Sequence, residues 1–121
     1  NTLTPGIVLI ENDDVTLELY QRELCKSFDV FAFTKIEGAL GVMENQNIRA
    51  VVIEPEILSG KGWNLISSIC EKFPQRAIPV IVCSTRAAPP ASLTGEITRY
   101  LVKPVLPGLL REKTLEVIKK N

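Results

Sequence analysis

Four short, continuous apolar runs constrain this chain more than any other feature. They are Ile7–Ile10, Ala50–Ile53, Ile78–Cys83 and Tyr100–Val102, and stretches of helical period lie between them. A run of three to six apolar residues without polar alternation suits a strand that is buried on both faces. Asp29–Thr34, aromatic and β-branched, adds a further strand. Between the runs, Leu17, Tyr20, Leu24 and Phe28 fall on one face of a helix that Asp13 or Asp14 can cap. Thr34-Lys35-Ile36-Glu37 has the form of a capping box and opens a helix with Ile36, Ala39, Leu40 and Met43 on one side. Pro55–Gly62 reads as a loop, with Gly60 and Gly62 as breakers, and Trp63–Phe73 as a helix. Pro89-Pro90 forbids a long helix through Thr85–Thr98, so a short one near Ala91–Ile97 is expected there. Pro107–Lys120 forms the last helix. The order is (βα)5: a five-stranded parallel sheet between two helical layers, a three-layer α/β sandwich.

The length of 121 residues fits one domain, and nothing linker-like or repeated divides it. The first residue is Asn1 rather than Met, so the sequence is expected to be trimmed or a segment of a longer protein. Fourteen basic residues balance fourteen acidic ones, which gives no electrostatic reason to expect nucleic acid or an anionic membrane as partner. The apolar runs are too short to span a bilayer. There is no histidine, which removes the usual general base and the commonest metal ligand. The three cysteines, Cys25, Cys70 and Cys83, show no C-x-x-C pair and read as small buried hydrophobes. Unpaired thiols suit a cytoplasmic location.

In an open parallel sheet the ligand site lies beyond the carboxyl ends of the strands. There the sequence places Glu11-Asn12-Asp13-Asp14, Glu54, Ser84-Thr85 and Lys103-Pro104. Each alone has a structural explanation: a helix cap, a turn, a solvated lysine. Their convergence on one sheet edge is the informative feature.

From Gly6 to Lys120 the chain resembles the receiver domain of bacterial two-component response regulators, of the chemotaxis-regulator type. The residues that carry the resemblance are Leu9-Ile10-Glu11-Asn12-Asp13, Val51-Val52-Ile53-Glu54-Pro55, Pro79-Val80-Ile81-Val82-Cys83-Ser84 and Tyr100-Leu101-Val102-Lys103-Pro104. The resemblance implies a flavodoxin-like fold and a signalling module rather than an enzyme. It gives Ser84 and Lys103 the phosphoryl-binding roles, Tyr100 the role of the aromatic that reports to partners, and Glu54 the phosphoacceptor position. Glu11, Asn12 and Asp13 form its acidic pocket, with Glu11, Asn12 and Glu54 as the weakened or lost ligands of Mg²⁺.

Two positions depart from the family pattern. The acceptor is glutamate instead of aspartate, and Asn12 is neutral where a second carboxylate belongs. Mg²⁺ prefers carboxylates, so its affinity should fall. The extra methylene misplaces Glu54 for in-line attack, at a cost on the order of 10²-fold in rate. Glu54 then either pairs with Lys103 and accepts from Ser84, as a partial imitation of a phosphorylated state, or belongs to a pocket without a switch. The expected function is an unphosphorylated receiver-like module acting through protein contacts. Its partner would be a histidine kinase, an effector domain, a downstream protein or a second copy of itself. The alternatives are a conventional Mg²⁺-dependent phosphorylated receiver and a small nucleotide-binding enzyme. The last lacks a G-x-G-x-x-G, and Gly60-Lys61-Gly62 lacks P-loop spacing.

Overall fold

A computed structural model describes residues 4–119. Strands β1 (Gly6–Ile10), β2 (Asp29–Phe33), β3 (Ile48–Ile53), β4 (Val80–Ser84) and β5 (Arg99–Val102) form one parallel sheet in the order β2-β1-β3-β4-β5. Helices α1 (Asp14–Leu24), α2 (Ala39–Asn45), α3 (Ile57–Lys72) and α4 (Pro107–Lys119) and a 3₁₀ segment (Ala91–Glu96) connect them. The expected three-layer sandwich is therefore observed. Lys120, expected to close the last helix, lies outside the described residues.

The period of two in each strand divides the core. Ile7, Leu9, Ala50, Val52, Ile81 and Cys83 face α1 and α4, where Tyr20, Leu24, Leu110 and Val117 meet them. Val8, Ile10, Val51, Ile53, Val80 and Val82 face the other layer, with Met43, Ile57, Ile66, Ile69 and Leu93. Continuous apolar strands are thus explained by cover on both faces, each buried side chain contributing about 1.5–3 kcal/mol. Arg111 of α4 ties the first layer together, its Nε 2.8 Å from Glu23 Oε2 and its Nη1 3.2 Å from Ser27 Oγ.

Several local expectations are corrected. Helix α1 ends at Leu24, not Phe28, and Phe28 reaches the core from the following turn. The capping box at Thr34–Glu37 does not form: α2 starts after Gly38, whose φ of 90° no β-carbon residue adopts readily. Helix α3 begins at Ile57, within the expected loop, although Ser59 and Gly60 at φ 59° and 91° interrupt its first turn. The cysteines differ from one another, Cys83 buried, Cys70 intermediate and Cys25 exposed. The short element expected near Ala91–Ile97 is present as the 3₁₀ segment, directly after Pro89-Pro90.

Gly62 packs against the loop that leaves β3. A β-carbon there would stand 2.6 Å from Pro55 Cα and 2.7 Å from Pro55 O. Backbone cannot yield as a flexible side chain does, so Gly62→Ala is expected to destabilise the domain by about 1–3 kcal/mol in urea unfolding. Gly41→Ala, with nothing within 4 Å of its added carbon, serves as the control and should not destabilise.

Candidate functional site

The strand order reverses between β1 and β3, the point where open α/β sheets place their ligands. Ile10 and Ile53 are paired in register. The next residue of each strand is a glutamate, and the ladder continues past both: Glu11 N donates to Phe33 O and Glu54 N to Ile10 O, at 3.0 and 2.9 Å. Two carboxylates are thereby fixed on neighbouring strands. On the far side of β4, Lys103 N donates to Ser84 O at 2.8 Å, which sets Lys103 at the same edge. Its peptide bond to Pro104 is cis.

The Lys103 ammonium lies between the carboxylates, Nζ 2.7 Å from Glu11 Oε1 and 3.0 Å from Glu54 Oε1. The side chains of Glu11 and Glu54 are 2% and 7% exposed and that of Lys103 17%, so solvent screens this triad little. Burial alone would lower the Lys103 pKa. The hydrogen bonds and charges of Glu11 and Glu54 outweigh it, and the net shift is upward. Each remaining carboxylate oxygen has its own donor: Asp13 N reaches Glu11 Oε2 at 3.1 Å, and Glu56 N reaches Glu54 Oε2 at 3.0 Å.

The other expected residues are placed differently. Asp13 caps α1, its Oδ2 accepting from Thr16 N at 2.9 Å and Thr16 Oγ1 at 2.6 Å; these bonds hold its pKa below the usual value. Asn12 is exposed. Ser84 is fully buried, its Oγ accepts from Arg86 N at 3.1 Å, and no bond joins it to Glu54. Tyr100 is half-buried, donates to Arg86 O at 2.7 Å and stacks on Trp63 with ring centroids 6.4 Å apart. The Arg86 guanidinium lies 5.7 Å from the Trp63 ring. Trp63 Nε1 in turn donates to Glu56 Oε1 at 3.3 Å. The sequence reading placed Trp63 only at the start of a helix. Its position one residue after Gly62 was the available signal, since the glycine lets this turn close on Pro55.

Divalent metal does not fit the residues present. The facing oxygens of Glu11 and Glu54 are taken by the Lys103 ammonium, Asp13 is committed to its helix, and among the described residues no group of three or more acidic or thiol side chains could hold an ion. An ion of charge two about 4 Å from the ammonium would be repelled by roughly 8 kcal/mol at an effective dielectric near 20.

A groove of about 400 Å³ opens beside Lys103, lined by Leu19, Tyr20, Thr85 and Val105 among others. Tyr20 donates to Val105 O at 3.3 Å, and burial pushes its pKa up to about 12. Burial likewise pushes the Cys83 thiol up to about 12.

This architecture is the fold of response regulator receiver domains. It superposes on a receiver domain protein from Methanospirillum hungatei with a TM-score of 0.83 at 20% identity, over 96% of this chain and 94% of that one. A response regulator from Thermotoga maritima gives 0.78 at 23% identity, over 97% and 99%. Another from the same organism, solved with Mg²⁺ and BeF, gives 0.75 at 18% identity, over 93% and 98%. No protein-family model matches the sequence, and no curated protein matches it significantly. No helix among the described residues is long and apolar enough to cross a membrane.

Two outcomes follow from the buried charges. Lys103→Met leaves two buried carboxylates uncompensated and should cost on the order of 3 kcal/mol in urea unfolding. Glu18→Gln, which breaks the exposed Arg22–Glu18 pair, should cost less than about 1 kcal/mol. Lys103, Tyr20 and Cys83 all hold their protons longer when folded. The stability they contribute is complete below their unfolded values and is lost as pH rises through the folded ones. The Cys70 pKa is raised as well, so denaturation midpoints should decline from about pH 9 towards pH 12, and Cys83→Ala should make the early part of that decline shallower.

Proposed function

We propose that this chain is a receiver-like signalling domain of a bacterial two-component system, that it is not phosphorylated, and that it acts through protein contacts rather than as an enzyme. In this reading Glu54 stands at the phosphoacceptor position, Ser84 and Lys103 at the phosphoryl-binding positions and Tyr100 at the reporting aromatic. The observation that carries it is the state of Glu54. Both of its oxygens are engaged, one by Lys103 and one by Glu56 N. These bonds hold the carboxylate in place and draw on its electron pairs, and an acyl phosphate needs an oxygen aligned with the donor, where misalignment by one bond costs on the order of 10²-fold.

The pocket keeps one negative charge in excess of Lys103, less than a phosphoryl group would add. Ser84 accepts from Arg86 N and makes no bond to Glu54, and that missing bond favours a pocket without a switch over an imitation of the phosphorylated state. The contact face in this reading centres on Tyr100, Arg86 and Trp63 beside the 3₁₀ segment, and its partner is a protein: a histidine kinase, an effector domain, a downstream protein or a second copy.

The test is intact-protein mass spectrometry after incubation with acetyl phosphate and Mg²⁺, with Glu54→Asp in parallel. The wild type is expected to gain no phosphoryl adduct, and an adduct on it overturns the reading. An adduct on Glu54→Asp alone assigns the loss of acceptor function to the added methylene. Its absence there extends the loss to the rest of the pocket.

A further inference from the structure

A glutamate that never accepts a phosphoryl group can still bind a metal, so the state of the metal site is a separate question from the one above. Three observations bear on it. The Lys103 ammonium bridges Glu11 Oε1 and Glu54 Oε1 at 2.7 and 3.0 Å, in the space between the two carboxylates. The outer oxygens are held by backbone amides of Asp13 and Glu56, which cannot withdraw without moving the loops that follow β1 and β3. Asp13, the nearest further carboxylate in sequence, is held by Thr16 at the start of α1.

We propose that Lys103 is the resident cation of this pocket and that the domain is independent of Mg²⁺: the ammonium occupies the position between Glu11 and Glu54 that a divalent ion would need. Mg²⁺ demands near-octahedral oxygen coordination at about 2.0–2.1 Å and gives up its own water reluctantly. To enter, it would have to break both Lys103 hydrogen bonds and leave the ammonium beside it without a partner. An ammonium meets the same two carboxylates with ordinary hydrogen bonds, through three donors that rotate freely. Two carboxylates without Lys103 would form an open acidic pair at the sheet edge, and one or two carboxylates with retained waters are enough for a divalent ion. The lysine, set against the few oxygen ligands the pocket offers, therefore keeps metal out.

Mn²⁺ is the probe, since its free aquo ion is read directly by electron paramagnetic resonance and it shares the preference for oxygen ligands. Trp63, the chain's single tryptophan, provides a second readout, because its Nε1 bonds to Glu56, whose amide holds Glu54. The wild type is expected to leave the Mn²⁺ signal and the Trp63 emission unchanged into the millimolar range. Lys103→Met and Lys103→Gln are expected to gain one Mn²⁺ site that excess Mg²⁺ displaces. Wild-type binding that Glu11→Gln abolishes overturns the proposal, whereas binding that survives Glu11→Gln lies outside the pocket and agrees with it. A folded Lys103 variant, verified by circular dichroism, that binds no Mn²⁺ also overturns it. If neither Lys103 variant folds, the wild-type titration decides alone. This readout is independent of phosphoryl transfer, so each proposal can fail without the other.

Discussion

Glu11 and Glu54 extend two adjacent, in-register strands, and parallel strands lie about 4.8 Å apart. Two carboxylates so close, nearly excluded from water, repel one another unless a cation stands between them. Lys103 supplies that partner, and the rest of the sheet edge depends on its arrival. It comes from the end of β5, two positions from β3 and three from β1, so the ion triad forms only when β1, β3, β4 and β5 have all assembled in register. The hydrogen bond from Lys103 N to Ser84 O fixes the height at which it arrives. Charges of this kind add little net stability against an apolar substitute. Their effect is to tie correct strand order to the satisfaction of one buried lysine.

The second face of the site is built on aromatic contact. From Glu54 the connection runs through Glu56 to the Trp63 indole, then by stacking to Tyr100, whose hydroxyl meets the backbone of Arg86, whose amide meets Ser84. Each step is a contact of ordinary length, and together they link the carboxylate pocket to the half-buried aromatic surface at β5. The 3₁₀ segment packs beside this surface in place of a longer helix, because Pro89-Pro90 prevents regular helix from starting earlier. Arg86 and Tyr100 cover Trp63 beside it.

Most of the fold was legible in the sequence because its signals were strong and mutually consistent. Runs such as Ile78–Cys83 admit little but a doubly covered strand, and the strand ends then place Glu11, Glu54, Ser84 and Lys103 on one edge by topology alone. What failed was local. Thr34–Glu37 has the composition of a capping box, yet Gly38, at a φ that favours glycine, sets the start of α2. Cys25 follows an apolar periodicity, but α1 ends before it and turns it outward. The partners of Ser84 and Asp13 were not legible, since a hydroxyl or carboxylate at a strand end can bond either across the pocket or to its own following turn. In both residues the local bond won, as the short reach to a backbone amide two or three residues on costs little chain entropy.

The same preference for nearby amides explains what glutamate does at position 54. A side chain anchored at a fixed point of β3 has to reach both Glu56 N and Lys103 Nζ, one behind it in the following turn and one across two strands. The extra methylene of glutamate supplies reach and an additional torsion, so one carboxylate makes both bonds at once, at 3.0 Å each. A shorter carboxylate at the same Cα would hold its oxygens closer to the strand, leaving more space in front of them and a looser grip on the lysine. Glu54 thus fills the space in front of the end of β3 and grips the ammonium that balances the pocket.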